Sequence, residues 1–330
     1  MAQKEFHEIR DIERHLDDGG DLNCAVIQNL DLSAIEDRLM GLSITDAIFL
    51  GCTLSDHFTC HASRNGGIIF PKLSGLDFEP YRSRLYTRDD LFAGFDVENP
   101  CSYCDTPDAK IYQHWAKTGR AQPHSTREAL SRRLHDMSIS EAINGHMAGK
   151  DPDKVVAIMG GHNMPRGSAA YRNVALISRQ LTREGYYLIS GGGPGAMEAT
   201  HLGAMLVDSE ISVIDSALEI LAQAPIYKDE LWLSKAYEVL DGFLPKTGGG
   251  ESLGIPTWLY GHEPPTPFAS HIAKYFSNSV REEGLITLAV GGIVFAPGNA
   301  GTIQEIFQDA AQNRYATTGK ISPMIFLDKD

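Results

Sequence analysis

Short apolar runs alternate with amphipathic stretches throughout the second half of the chain. The run "KVVAIMGG", which begins at residue 154, is followed by the helical pattern "SAAYRNVALISRQLTREG" and by a second apolar run, "YYLIS". The helical stretch "GAMEATHLGAMLV" and the strand-like runs "SLGIPTWLYG" and "GGIVFAP" continue the alternation. Such alternation predicts βαβ units with right-handed crossovers and a parallel sheet. We therefore predict a doubly wound, Rossmann-like α/β domain over residues 151–330, with its ligand outside the carboxyl ends of the strands.

The first half of the chain has a weaker pattern. Short apolar pieces such as "AIFLGCTL" and "GGIIF" alternate with turn residues, and no internal repeat is evident. Helix starts of the form S-x-x-E follow at Ser125/Glu128 and Ser138/Glu141. We expect residues 1–150 to form an accessory or regulatory α+β region whose fold the pattern does not specify.

Charge and hydropathy restrict the class of ligand. The net charge of -14 disfavours a surface that grips a nucleic-acid backbone, so an anionic ligand must be small and held by a local positive pocket. No run of 18 apolar residues occurs, and the first residues, "MAQKEFHEIRDIERHLDD", are charged where a signal peptide needs an apolar stretch. We expect a cytoplasmic protein without membrane or nucleic-acid partners.

The cysteines do not predict a disulfide framework. Five are present, an odd number at irregular spacing, and reduced thiols are the simplest interpretation. A zinc site is the alternative, and its candidate ligands are Cys52, His57, Cys60, His61, Cys101 and Cys104. Because the spacing between these pairs matches no standard zinc pattern, we predict no metal.

A first glycine-rich turn, "ISGGGPGAMEA" (residues 189–199), follows a strand and opens a helix, as anion-binding turns do. Gly191, Gly193 and Ala196 also satisfy a relaxed dinucleotide pattern, with Asp208 and Glu210 about twenty residues further on. The turn follows the second strand of the domain, whereas the dinucleotide fingerprint marks the first. Tight packing of helix on strand remains an alternative explanation for these glycines.

A second turn, "FAPGNAGTIQEIF" (residues 295–307), places a carboxylate one helical turn beyond a glycine-lined helix start. Gly298 and Gly301 allow close approach of a ligand, and the amides near Thr302 face the same crevice, so the turn fits a phosphate. The alternative is a capping box, in which Glu305 folds back onto the helix start at Thr302. Both interpretations stay open at the level of the sequence.

Two further groups are candidates for the same crevice. Arg281 lies near the end of the helix before the strand "GGIVFAP", so the returning strand can bring the second turn beside it. The alternative for Arg281 is a solvated cation favoured by the helix dipole. His262 and Glu263, on the proline-rich segment "GHEPPTPF", belong either to a lid or to a surface turn, and the surface turn is the simpler interpretation.

These motifs carry a resemblance to a known family. "PGNAGTIQE" resembles the PGGxGTxxE signature of the Lonely Guy family, once labelled "possible lysine decarboxylase", and "GGGPGAMEA" is similar to that family's second glycine motif. Characterised members are phosphoribohydrolases, which cleave nucleoside 5'-monophosphates into base and ribose 5-phosphate. "MGGHNMP", "GIPTWLYGHEPPTPF" and "KYFSNSVREEGL" look closer to the larger nucleotide 5'-monophosphate nucleosidase branch than to the short cytokinin-activating enzymes. The resemblance covers residues 154–330.

The resemblance implies a role for particular residues. Glu305 and Arg281 would be catalytic, with Glu305 stabilising an oxocarbenium-like sugar and Arg281 serving either the phosphate or the departing base. The implied phosphate-binding residues are Gly298, Gly301, Thr302, Gly193 and Gly195. The implied base- and ribose-binding residues are Gly160, Gly161, Met197 and Glu198.

The resemblance also implies an assembly and leaves alternatives. Family members dimerise through helices that border the active site, so we expect at least a homodimer with Arg314 and Tyr315 near the interface, and no cofactor. Two features depart from the family pattern: Asn299 and Ala300 occupy the positions of its second glycine and its variable residue, and the sequence stops at Asp330 after a strand. The alternatives to an AMP nucleosidase-like hydrolase are a non-catalytic nucleotide sensor and an NAD(P)-dependent oxidoreductase. The oxidoreductase would need a ribose-binding acid after the strand that follows "GAMEA".

Overall fold

The computed structural model describes residues 4–327, and contacts divide the chain into two compact units. The first contains the residues up to 84 together with 126–142, and the second contains 85–125 and the residues from 143 onward. The division differs from the boundary near residue 150 that we predicted. Tyr86 exchanges two backbone hydrogen bonds with Ile272, and Asp108 forms a fully buried ion pair with Lys274 at 2.5 Å, so residues 85–125 pack with the second unit. The apolar pattern could not show these partners, because each lies far along the chain.

The first unit is a parallel ladder. Its elements are β1 (Glu5–Phe6), α1 (Ile9–Asp17), β2 (Val26–Gln28), α2 (Glu36–Leu39), β3 (Ile48–Leu50), α3 (Asp56–Arg64), β4 (Ile68–Phe70) and residues 126–142 of a longer helix. The strands pair in sequence order, and all pairs are parallel. Residues paired between consecutive strands are 21, 22 and 20 positions apart, as in Glu5 with Val26, Val26 with Ile48, and Ile48 with Ile68.

The regular offsets show a structural repeat that we did not detect in the sequence. An isolated parallel bridge between Asp31 and Thr53 has the same offset as the β2–β3 pairs. The first unit is therefore of α/β type rather than the α+β type that we expected. Strands of two or three residues are too short to give a periodic signal, and only their buried residues, such as Ile27 and Phe49, are alike in character.

The second unit contains the predicted Rossmann-like sheet. Its elements are α4 (Arg88–Leu91), α5 (Pro107–Lys117), the end of α6 (Thr126–Met147), β5 (Val155–Met159), α7 (Ala169–Arg183), β6 (Tyr187–Ser190), α8 (Ala196–Met205), α9 (Ile211–Leu221), α10 (Trp232–Phe243), β7 (Ser252–Gly254), β8 (His271–Ile272), α11 (Asn278–Leu288), β9 (Gly292–Phe295), α12 (Ala300–Tyr315) and β10 (Met324–Phe326). Short 3-10 helices cover Pro100–Asp105, Pro152–Lys154 and Trp258–Tyr260. The six strands are ordered β10-β9-β5-β6-β7-β8, and every neighbouring pair is parallel. The predicted α/β class is thus confirmed.

The strand order determines where the sheet opens to a ligand. From β5 the chain adds β6, β7 and β8 on one side, and it then returns to place β9 on the other side of β5. The loops after β5 and β9 therefore diverge at a topological switch point, where doubly wound sheets bind ligands. Gly160 and Gly161 follow β5, and the turn from Pro297 to Thr302 follows β9. The Gly161 amide donates a hydrogen bond to the Pro297 carbonyl at 3.1 Å, so the two loops lie in contact.

Local sequence explains why the helices around this crevice begin where they do. The Ser168 side chain caps α7 by accepting a hydrogen bond from the Tyr171 amide. Helix α8 is apolar along most of its length, and all of its residues except Met197 are buried.

Of the helices described between residues 4 and 327, none is long and apolar enough to cross a membrane.

Candidate active site

A cleft of about 200 Å³ opens at the switch point of the six-stranded sheet. Seven of the residues that line it were predicted from the sequence: Gly160, Gly161, Met197, Arg281, Gly301, Thr302 and Glu305. Five lining residues were not assigned to the site: His162, Tyr260, Glu263, Glu282 and Asn299. The structure therefore brings together the second glycine turn, Met197 of the first turn, the arginine and the glutamate.

The two glycines of the second turn have different functions. A Cβ on Gly298 would lie 2.1 Å from Thr302 Oγ1 and 3.0 Å from the Gly161 amide nitrogen, so only glycine allows this loop to pack. A Cβ on Gly301 would meet nothing within 4 Å. Gly298 is thus required for packing of the loop, whereas the space beside Gly301 remains available to a ligand. From the sequence, we had predicted that both glycines allow a ligand to approach.

The start of α12 settles the capping question. The helix begins at Ala300, and its N-cap residue, Asn299, makes no side-chain cap. Thr302 is the third helical residue, so Thr302 and Glu305 cannot form the capping box that spacing alone allowed. The first amides of a helix have no intrahelical carbonyl partner, and two of the first three helical residues, Gly301 and Thr302, line the cleft. This positive helix end suits an anion.

Glu305 is a carboxyl group in an unusual environment. Its side chain is 15% exposed, and the nearest cation is Arg281, whose Nη1 lies 3.9 Å from Glu305 Oε1. Burial raises the pKa of Glu305 from its ordinary value of 4.5 to about 7, against the lowering effect of Arg281 and with a smaller contribution from Glu282. A carboxyl group in a cleft whose pKa lies near 7 is typical of a functional site.

Arg281 is buried and held by backbone carbonyls. Its Nε donates to the Ile255 carbonyl at 2.7 Å and its Nη2 to the Gly191 carbonyl at 3.4 Å. We predicted a position near the end of its helix, but α11 begins at Asn278 and places Arg281 in the first turn. The helix dipole does not favour a cation there, so the interpretation as a solvated, dipole-stabilised cation does not hold. The expected approach of the second turn to Arg281 is observed.

The first glycine turn contributes shape more than open amides. Gly195 adopts a left-handed φ of 70°, and a Cβ on it would lie 2.3 Å from the Gly161 carbonyl oxygen. Close packing therefore explains Gly195, as the alternative to phosphate binding proposed. Gly193 is covered by Met197 and by Glu263, whose Oε2 lies 3.9 Å from the ideal Cβ position. Neither glycine is among the residues that line the cleft.

Glu198 is not placed at the site, contrary to what the resemblance implied. Its side chain is fully buried, and it accepts hydrogen bonds from Arg166 Nε at 2.8 Å, from Arg166 Nη2, and from the Tyr171 hydroxyl at 2.9 Å. Consecutive residues of a helix point about 100° apart, so when Met197 faces the cleft its neighbour faces the core. Glu198 therefore anchors α8 to α7.

Glu263 is the main functional candidate that the sequence did not assign to the site. It lines the cleft with a side chain only 12% exposed, and its Oε1 lies 3.9 Å from His162 Nε2 and 3.8 Å from His262 Nε2. Burial raises the pKa of Glu263, although both histidines, Arg281 and Lys228 act to lower it. The "GHEPP" segment indicated a turn, and only the folded chain shows that the turn carries Glu263 to the switch point.

Two alternative chemistries lack support in the described residues. Asp208 and Glu210 are exposed, and β7, the strand after "GAMEA", is followed by Ile255 and Pro256 rather than by a ribose-binding acid. The five cysteines are free, and between residues 4 and 327 no group of three or more metal-binding side chains is placed to hold an ion.

Comparisons with protein-family models and with curated proteins found no match for this chain. The function proposed for it therefore depends on the fold, on the geometry of the cleft and on the resemblance of its two glycine motifs.

Proposed function

We propose that the protein is a nucleoside 5'-monophosphate N-glycosidase that releases a free base and ribose 5-phosphate. One observation carries the proposal: the carboxyl group of Glu305, whose pKa is raised to about 7, lies 3.9 Å from the buried guanidinium of Arg281. Glu305 belongs to helix α12, whose N-terminus has no side-chain cap and opens onto the same cleft. A phosphate at the helix end would hold the sugar within reach of this carboxylate.

The phosphate site is built from backbone. The free amides at the start of α12 and the space beside Gly301 suit a phosphate monoester, and the partial positive charge of the helix end offsets its charge. The overall charge of -14 makes such a local site necessary. Asn299, which stands where the resembled family has a glycine, lines the cleft and leaves the helix start open.

The carboxylate supplies the chemical step. Cleavage of an N-glycosidic bond passes through an oxocarbenium-like sugar, and a negative charge beside the ribose stabilises that transition state. Arg281 is fixed by two carbonyl oxygens and favours the ionised form of Glu305, so it keeps the charge in place. The low solvent exposure of both side chains strengthens their interaction with a bound sugar.

The decisive experiment is a product assay. AMP, GMP, CMP and UMP are each incubated with the protein, and free base and ribose 5-phosphate are measured by chromatography. Release of base from at least one nucleotide by wild type, together with its loss in Glu305→Gln, is the expected result. Glu238→Gln makes the same chemical change on the exposed part of α10, where the carboxylate pairs with Lys235, and serves as the control.

A non-catalytic nucleotide sensor is the competing function. It would use the same phosphate site, and a sensor would return all four nucleotides intact while still being stabilised by them against heat. Binding without base release would therefore overturn the proposed activity and leave the phosphate site standing.

A further inference from the structure

The departing base creates a chemical need that Glu305 does not meet. When the bond between C1' and the base nitrogen breaks, its electron pair goes to the base, which leaves more easily if it receives a proton. Glu305 is required as an anion beside the sugar. A second group must then supply the proton from the base side of the cleft.

The other acids of the cleft differ in how their oxygens are used. Both oxygens of Glu282 already accept hydrogen bonds, from Asn278 Nδ2 at 2.7 Å and from Gln304 Nε2 at 2.9 Å. Glu305 is paired with Arg281. Glu263 lines the same cleft, its Oε2 lies 3.9 Å from the ideal Cβ position of Gly193, and the imidazole nitrogens of His162 and His262 stay 3.9 and 3.8 Å from its Oε1.

The surroundings of Glu263 allow it to hold and regain a proton. The titratable and charged groups that face it from the packed elements are His162, His262, Arg281, Lys228, Tyr227 and Lys274. Burial dominates over the cations among them and raises the pKa of Glu263, which favours its protonated form. The side chains of His162 and His262 are 38% and 56% exposed, and each places its Nε2 within 4 Å of Glu263 Oε1, so the carboxyl group lies next to two solvent-exposed imidazoles.

We propose that Glu263 is the general acid that protonates the departing base, an inference that rests on the proposed glycosidase function. The C1'–N bond breaks, its electron pair passes to the base, and the Glu263 proton moves to the base. Water forms the new bond to C1' and gives its proton to Glu305. The proton returns from Glu305 to Glu263 through solvent, so the net reaction consumes one water.

A substrate whose base needs no proton separates this role from a structural one. GMP requires protonation of guanine, whereas 7-methylguanosine 5'-monophosphate already carries a positive charge on the base at pH 6 and its base can depart without an added proton. In Glu263→Gln, we expect kcat for GMP to fall at least about 100-fold and kcat for the methylated nucleotide to fall less than about fivefold. Glu305→Gln should slow both substrates, and Glu238→Gln neither.

Each outcome has a defined meaning. Two results for a Glu263→Gln variant that melts like wild type would overturn the role of Glu263 as acid: an equal fall in kcat for both substrates, or an unchanged kcat for GMP. Either result would leave the proposed glycosidase activity intact. Glu263→Asp keeps a carboxyl group in a shorter side chain, and partial recovery of GMP turnover is expected even if the glutamine variant does not fold. If wild type releases base from no nucleotide, the proposed function fails, and the inference fails with it.

Discussion

At the scale of single residues, the cleft contains a buried glutamate that lowers the stability of the fold at neutral pH, and a role in catalysis explains why it is there. Glu305 is buried beside one arginine that already bonds to two backbone carbonyls. A buried carboxyl group with a raised pKa destabilises the folded chain at neutral pH, because the unfolded chain ionises more easily. Arg281 would satisfy its carbonyl partners without Glu305. The glutamate is therefore not explained by structure alone.

The first residue-scale prediction concerns catalysis at Glu305. Glu305→Gln keeps the shape of the side chain and removes its charge, so kcat for AMP should fall at least about 100-fold. The KM should change far less, since the phosphate is held by backbone amides that the substitution leaves unchanged. Steady-state kinetics on wild type, Glu305→Gln and the Glu238→Gln control measure this. An unchanged kcat in a folded variant would exclude Glu305 from the reaction.

The second residue-scale prediction concerns pH. The folded-state pKa of Glu305, about 7, lies above the unfolded value of 4.5, so its proton stabilises the fold below pH 4.5 and this contribution is lost as pH rises through 7. From about 1.36 kcal/mol per pKa unit, Glu305→Gln should raise the free energy of unfolding by roughly 3 kcal/mol at pH 8 and by about 1 kcal/mol at pH 5. Urea unfolding at both values tests this. A difference between wild type and variant that does not vary with pH would show that the carboxyl group is not perturbed.

At the scale of elements, the sequence predicted long periodic segments and failed where contact partners are distant. The apolar runs predicted strands β5, β6, β7 and β9, and the Pro297–Thr302 turn was correctly placed at a strand end, whereas the two-residue strand β8 was not predicted. We predicted that α12 begins at Thr302, two residues after its observed start at Ala300, and this error made a capping box appear possible. The ladder of β1–β4 and the arrival of Glu263 at the cleft depend on tertiary packing, which no local pattern encodes.

The element-scale prediction uses the two glycines of the second turn as a matched pair. Gly298→Ala should destabilise the protein by about 1–3 kcal/mol, because its Cβ would collide with Thr302 Oγ1 and crowd the Gly161 amide. Gly301→Ala meets no protein atom and replaces glycine within a helix, so stability should rise by about 0.5–1 kcal/mol.

The more stable of the two glycine variants, Gly301→Ala, should nevertheless bind AMP more weakly than wild type. The added methyl group of Gly301→Ala occupies the space assigned to phosphate, so KM for AMP should rise although the variant is more stable than wild type. Thermal unfolding and kinetics on the same preparations provide both readouts. A Gly301→Ala variant with wild-type KM would place the phosphate elsewhere.

At the scale of the whole molecule, the second unit leaves an apolar surface exposed beside the proposed site. Helix α12 and the sheet-edge strand β10 carry the exposed side chains Ile303, Phe307, Tyr315, Ile325 and Phe326. Exposed fractions of 71% for Phe307 and 79% for Tyr315 are high for large aromatic residues. Ile303, Phe307 and Tyr315 recur at helical spacing along α12, whereas Ile325 and Phe326 are consecutive in β10 and face opposite sides of the strand. Exposed apolar surface often marks an interaction site, and two copies of the chain can bury the α12 side chains against each other about a twofold axis.

The last prediction tests whether this surface joins two copies of the chain. Light scattering at micromolar concentration should give at least a dimer for wild type. Phe307→Glu places a charge where an aromatic side chain would be buried, so it should shift the protein toward monomer. Ile211→Glu makes a comparable change at another exposed apolar position, on α9, and should leave the dimer unchanged. Because α12 also carries Glu305 and the phosphate-binding amides, loss of the dimer should lower turnover if the partner stabilises the helix. A wild-type protein that is monomeric at this concentration would show that the apolar face of α12 has no second copy as its partner.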